Sequence, residues 1–200
     1  MERDDVRQAW DDVSQTYATR RDPDGSDADL IDELRSDCPQ DPQIVDIGCG
    51  DGARTLSNLP DGSLGIDFSR QGLQLAGSTV PSAKRVQADM CALPLDDSCA
   101  DALTAYHAVF HVERTSHPTV YREFARVLKP GGMLLMTLPG GRFETVRRGW
   151  MGGEMFFSAP GRDQTLTQLS DAGFGNLQTK TVGDPLGSES EFVFAEHSGN

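Results

Sequence analysis

The stretch Val45-Asp-Ile-Gly-Cys-Gly-Asp-Gly52 delivers an apolar run straight into three alternate glycines. Glycine takes positive φ in a tight turn and lets backbone approach a ligand closely, so this is a strand-to-helix turn that binds something polar. The flanking pattern agrees. Gln43–Ile47, Ser63–Asp67, Lys84–Ala88, Ala102–Tyr106 and Gly132–Leu138 read as strands. Helical windows stand between them at Ala53–Leu59, at Ser69–Thr79 with Ser69 as N-cap, and at Thr119–Leu128. Short loops and strict alternation imply right-handed crossovers and a parallel sheet covered on both faces.

Outside 43–138 the rhythm changes. Residues 1–40 carry Val6, Trp10, Val13 and Tyr17 on one face of an amphipathic helix. A polar break, Arg21–Ser26, and a second helix over Asp27–Arg35 follow, together forming an N-terminal cover. Residues 139–162 are rich in glycine and aromatics, too long for a simple turn, and read as a lid. A helix over Asp163–Asp171 leads to two strands, Asn176–Val182 and Glu191–Glu196. No crossover helix fits between those two, so at least one runs antiparallel to its neighbour. One domain over 1–200 accounts for the whole pattern.

Charge excludes several function classes. Acidic side chains outnumber basic ones by 31 to 18, a formal charge of −13, so the surface repels nucleic acid and anionic lipid. The sign is carried by 22 Asp against 9 Glu, and by 15 Arg against three Lys. That bias fits a high-salt cytoplasm and codon usage equally well. No apolar run approaches the roughly 20 residues of a membrane helix, and Met-Glu-Arg-Asp-Asp lacks a secretory pattern, so a cytoplasmic location is expected. Cys38, Cys49, Cys91 and Cys99 form no C-x-x-C pair, so neither structural zinc nor a disulfide framework is expected.

The glycines alone leave two cofactor classes open, because Gly48-x-Gly50-x-x-Ala53 also satisfies the relaxed dinucleotide fingerprint. Asp67 ends the second strand, where an acid accepts the hydroxyls of a ribose. Asp89 holds the same place after the third strand, where a carboxylate can accept an exocyclic amine. Asp46 argues against a pyrophosphate, since an acid two residues before Gly48 favours a positively charged ligand. Gly52 and the Asp89-Met90 pair point the same way, and the terminal strand pair closes the sheet where a second dinucleotide half would begin.

Asp46-Ile-Gly-Cys-Gly-Asp-Gly52, Gly65-Ile-Asp67-Phe-Ser69, Gln87-Ala-Asp89-Met90, Leu93-Pro-Leu-Asp-Asp97 and Glu123-Phe-Ala-Arg-Val-Leu-Lys-Pro-Gly-Gly132 resemble, in order and spacing, the motifs of class I S-adenosylmethionine-dependent methyltransferases. The resemblance runs from about Val6 to Ala195. It implies a Rossmann-like α/β fold, a seven-stranded, mostly parallel sheet with an antiparallel last strand and helices on both faces. It further assigns Gly48, Cys49 and Gly50 to the methionine part of S-adenosylmethionine, with Asp46 near its ammonium. Asp67 would hold the ribose, Phe68 would flank the adenine, and Asp89 with Met90 would bind the base. Tyr106 would lie near the methionine, and Tyr17 with Arg20 or Arg21 would close over the carboxylate end.

Methyl transfer from a sulfonium is an in-line displacement in which the protein mainly orients, so acceptor residues belong past the fourth strand and in the lid. His107 and His111 are the catalytic candidates, as base or orienter; the competing reading makes His107 a strand-end cap and His111 a half-exposed ring. A metal pair lacks a third ligand. His117, before Pro118, reads as loop. Arg142, Arg147 and Arg148 are the one local excess of positive charge, either an anion-receiving cluster or a solvated face. Trp150, Phe156 and Phe157 line an acceptor pocket or belong to the core. The Asn/Asp-Pro-Pro-aromatic element of nucleobase-amine methylases is absent after the fourth strand, where Ala105-Tyr-His-Ala108 stands. A small-molecule acceptor is therefore expected, with neither nucleic acid nor membrane as partner. A non-catalytic cofactor-binding subunit is the alternative, and an NAD-dependent oxidoreductase a distant third.

Overall fold

The computed structural model describes residues 1–21, 25, 28–183 and 189–199. Most of the polar break expected at Arg21–Ser26, and the first residue of the second helix, Asp27, lie outside the described residues. The elements in order are α1 (Arg3–Arg20), α2 (Asp29–Ser36), β1 (Ile44–Ile47), β2 (Leu64–Asp67), α3 (Arg70–Thr79), β3 (Lys84–Gln87) and β4 (Ala100–Ala105). They continue with α4 (His117–Val127), β5 (Leu128–Leu138), β6 (Arg142–Trp150), β7 (Gly153–Pro160), α5 (Arg162–Asp171), β8 (Phe174–Gly183) and β9 (Glu189–His197).

Seven strands form one sheet in the order β3-β2-β1-β4-β5-β9-β8. Neighbours from β3 through β5 pair in parallel, and β9 pairs antiparallel with both β5 and β8. The last strand is thus the one that runs against the rest, slotted inside the edge strand β8. Period-2 alternation builds both faces of the core. Ala102, Leu135, Phe192 and Phe194 face α2 and α3, whereas Leu103, Leu134, Met136 and Val193 face α4 and α5. None of the described helices is long and apolar enough to cross a membrane.

Three local expectations change. The helix expected over Ala53–Leu59 is a run of turns with a single 3-10 turn at Leu56–Asn58. Ser57 Oγ and Asn58 Nδ2 return to the carbonyls of Ala53 and Arg54 at 2.7 and 2.9 Å, and such local bonds in a Ser/Asn-rich segment compete with α-helix. His117 is not in a loop. It opens α4 with Pro118 at the next position, where a missing N–H costs nothing, and is fully buried between Tyr121 Oη and Ser158 Oγ, each at 3.2 Å. Within residues 139–162, Arg142–Pro160 form an antiparallel hairpin, β6–β7, and not a loose segment. Its inner strand buries Met155, Phe156 and Phe157 against Val6 and Val13 of α1, while β6 faces solvent.

Candidate functional site

The strand order reverses between β1 and β4, and ligands of open α/β sheets bind at such a switch point, beyond the carboxyl ends of the strands. A pocket of about 760 Å3, counted to its open mouth, lies there. Its floor is Ile47–Gly50 after β1, Asp67–Ser69 after β2, Ala88 and Met90 after β3, and Tyr106–Ala108 after β4. Its roof is Arg3, Trp10, Ser14, Tyr17 and Arg21 of the N-terminal cover, and His111 closes one wall.

The glycine turn is required by its surroundings. Gly48 has φ +72°, and a Cβ there would stand 2.4 Å from the Cβ of Ala108; Gly50, at φ +53°, faces open space. Four N–H groups of this turn are already engaged. Gly48 N and Cys49 N donate to the Ile66 carbonyl at 2.7 and 3.1 Å, Gly50 N to Asp67 Oδ2 at 2.8 Å, and Gly52 N to the Cys49 carbonyl at 2.9 Å. No α-helix starts behind them. The free N–H fan and helix terminus that cradle a pyrophosphate are therefore missing from this turn.

Asp67 takes one N–H on each oxygen, Gly50 on Oδ2 and Ser69 on Oδ1 at 2.7 Å, which leaves each oxygen a further lone pair. That is what a pair of vicinal hydroxyls requires. Burial pushes its pKa up to about 6, against the lowering effect of those N–H bonds. Asp46 sits beneath the pocket and not in its lining. It is 1% exposed, receives the hydroxyls of Thr55 and, at 2.7 Å, Thr104, and is likewise raised to about 6 by burial. Asp46 thus touches the pocket lining through Thr55 and acts on it electrostatically at Asp67 and Arg21. The Cys49 thiol is buried, with its pKa pushed well up, so Cys49 supplies surface and backbone but no reactive thiolate.

Asp89 is also outside the lining, for a different reason. Arg3, from the first turn of α1, donates Nε and Nη2 to its two oxygens at 2.8 and 2.7 Å. Burial alone would raise Asp89; the Arg3 side chain and the Cys91 N–H bring it below the ordinary carboxylate range. Phe68 lines the pocket with the Arg3 guanidinium 4.6 Å from its ring centroid. Of the residues expected at the cofactor, Gly48, Cys49, Gly50, Asp67, Phe68, Met90, Tyr106 and Tyr17 share this pocket, and Arg21 joins them whereas Arg20 is exposed.

His107 and His111 both line it too, His107 from a bend after β4 and His111 from a 3-10 turn at Val109–His111, not from one helix. His107 has φ +52°, and its N–H donates to Thr137 Oγ1 at 2.9 Å. His111 is buried, and its Nδ1 stands 2.9 Å from the Phe156 carbonyl, which only accepts; the proton is therefore on Nδ1 and the Nε2 lone pair is left over. Burial pushes its pKa down to about 3, so the ring is neutral. It packs edge-on to Trp10 at 5.0 Å, and Trp10 meets Tyr17 and Trp150 at 5.4 Å each.

The cover is tied to the floor by groups that carried no signal of their own. Asp11 Oδ1 accepts Ser69 Oγ at 2.7 Å and Gln71 N at 3.0 Å, an anion at the N-terminus of α3. Arg3, Arg7, Asp11 and Ser14 form a polar stripe at helical spacing beside the apolar face, and that stripe was the readable trace.

Residues 45–136 match the family described as a methyltransferase domain. A trans-aconitate 2-methyltransferase of Paracidovorax citrulli is 34% identical over 125 residues, 60% of this chain and 46% of that protein. A 27-O-demethylrifamycin SV methyltransferase of Amycolatopsis mediterranei is 31% identical over 140 residues, 64% of this chain and 48% of that protein. The chain thus spans about half the length of the curated relatives it matches. The crystal structure of an S-adenosylmethionine-dependent methyltransferase from Methanosarcina mazei shares the fold at a TM-score of 0.70 and 20% identity, over 82% of this chain and 96% of that one. With its strand order, its reversed β9 and its glycine turn, the chain shares the fold of S-adenosylmethionine-dependent methyltransferases, and its residues 45–136 are similar to the methyltransferase-domain family.

Proposed function

We propose that the protein transfers the methyl group of S-adenosylmethionine to a small molecule. The observation that carries this reading is the glycine turn. Four of its N–H groups are used internally, which disfavours a dinucleotide, while Asp67 keeps a lone pair on each oxygen for a ribose. When bound, S-adenosylmethionine supplies a methyl carbon already activated as a sulfonium. The chain's own residues bind and orient. Gly48 and Gly50 allow close approach, Asp67 holds the ribose, Phe68 and Met90 flank the base, and Tyr17 with Arg21 covers the methionine end.

Acceptor chemistry belongs to the roof. His111 has its lone pair on Nε2 but resists taking a proton, first because burial disfavours the imidazolium, with smaller contributions from His107 and from the Arg3 guanidinium bonded to its carbonyl. It therefore accepts a hydrogen bond from the acceptor and orients it, with His107 beside it, and does not act as a strong base. An acceptor that ionises easily, such as an acidic oxygen, suits a site of this kind. The Paracidovorax relative is named for trans-aconitate, an organic acid, which agrees.

Calorimetric titration with S-adenosylmethionine and with NAD, separately, tests the cofactor; uptake of NAD alone overturns the reading. Asp67→Ala weakens S-adenosylmethionine binding by about 1.5–3 kcal/mol, the loss expected for charge-assisted hydrogen bonds. Unchanged affinity removes Asp67 from the site. Labelled-methyl transfer across organic acids and hydroxylated rings separates an enzyme from a non-catalytic subunit, which would bind the cofactor and transfer nothing.

A further inference from the structure

Arg3 holds three groups at once. Nε and Nη2 grip the two oxygens of Asp89, Nη1 donates to the His111 carbonyl at 2.9 Å, and the guanidinium lies over the Phe68 ring. Arg3 thereby ties the first turn of α1 to the chain after β3, through Asp89, and to the chain after β2, through the Phe68 ring. The pocket accordingly reaches Arg3, Phe68, Ala88 and Met90, with Asp89 behind the guanidinium. His111 belongs to the acceptor wall. One side chain of α1 therefore spans the adenine end and the acceptor end of the same pocket.

We propose that Arg3 is the latch of this pocket: it fastens α1 over the adenine end, and cofactor enters and leaves when the Arg3–Asp89 pair opens. The proposal rests on the pocket being the S-adenosylmethionine site. The bidentate geometry holds the pair closed at rest, and with its side chains 31% and 36% exposed, water can reach it and take over its hydrogen bonds when it opens. The second tie of α1, Asp11 on the start of α3, does not involve Arg3, so the helix stays docked when the latch opens.

Exchange rates test this. The protein has two tryptophans, Trp10 and Trp150, in contact with each other in the roof, so their fluorescence reports the pocket in the full chain. S-adenosylhomocysteine is bound, then chased with excess S-adenosylmethionine in a stopped-flow instrument. Arg3→Ala raises the dissociation rate about three- to tenfold and speeds association as well. Arg3→Lys, which keeps the charge but loses the planar fork, falls between, and serves alone should Arg3→Ala unfold by circular dichroism. Raising the salt concentration speeds release from the native protein more than from Arg3→Ala. Tight native binding with equal or slower release from the variants refutes the latch and spares the cofactor site. Failure of the native protein to take up S-adenosylhomocysteine refutes the site, and the latch with it.

Discussion

The floor and the roof of the pocket are built from different materials. The floor is backbone held by backbone. Its turn is fixed by Gly48 N and Cys49 N on the Ile66 carbonyl, and Asp67, its one lining acid among the described residues, is held by two N–H groups. The roof is side chains held by side chains over long sequence separations, Arg3 to Asp89 across 86 residues and Trp10 to His111 and Trp150. A floor of this kind has one geometry and fails abruptly when crowded. A roof of this kind loosens gradually, which suits the part that must open for a ligand.

The largest effect is expected in the floor. Gly48→Ala puts a Cβ 2.4 Å from that of Ala108, in a residue with positive φ. Overpacking and left-handed strain together cost about 2–5 kcal/mol, and S-adenosylmethionine binding should fall below detection in calorimetry. Trp10→Ala strikes the roof. It removes a half-buried ring that touches Tyr17, His111 and Trp150, and the loss should be about 2–3 kcal/mol in thermal unfolding, under the value for a fully buried ring. Cofactor affinity should change less than about threefold while methyl transfer drops. If Trp10→Ala abolishes cofactor binding as Gly48→Ala does, floor and roof are one unit and the contrast fails.

Their acids differ in sign as well. Burial raises Asp67 to about 6, whereas Arg3 holds Asp89 below the ordinary range. A group raised on folding stabilises the folded chain below its unfolded pKa, near 3.8, and loses that contribution as pH climbs through 6. Asp89 behaves oppositely, contributing above its unfolded pKa and losing as pH falls through its depressed folded value. Hydroxyl donors and a cationic ligand favour ionised Asp67. Affinity for S-adenosylmethionine should therefore rise about tenfold from pH 5 to pH 7, and Asp67→Asn should flatten the profile. A native profile flat over that range would leave Asp67 ionised throughout and assign the site no titrating acid.

Legibility followed the same division. The floor was readable because its determinants are local: a strand end, three glycines and the next strand's acid lie within 23 residues of one another, Val45 to Asp67. The reversed strand was readable from a missing crossover. In the roof, period-3.6 spacing of Val6, Trp10, Val13 and Tyr17 announced an apolar helix face but not what covers it. The hairpin was missed because Gly149, Gly152 and Gly153 suggested irregular chain, whereas Gly149 and Gly152 take positive φ around its turn and Gly153 makes room for Val13. Position along the strands puts Asp46 near the ammonium and Asp89 at the base, but it cannot show that Thr55 and Thr104 bond the first carboxylate and Arg3 the second.

The smallest effect belongs on the outer face of the roof, where β6 presents Arg142, Arg147 and Arg148 to solvent. Arg147 lies 4.7 Å above the Phe157 ring, so it covers the apolar strand behind it. Arg148 pairs with Glu154 across the hairpin at 3.3 Å, with side chains 86% and 59% exposed, and pairs of that kind contribute little. Arg148→Ala should therefore shift stability by less than about 0.5 kcal/mol, a melting-temperature change of under about 2 °C, and leave methyl transfer intact. Turnover reduced tenfold with an unchanged melting temperature would mean that the arginines meet an anionic acceptor. The outer strand of the hairpin would then be part of the site, and the roof would have to open far enough to bring it to the pocket mouth.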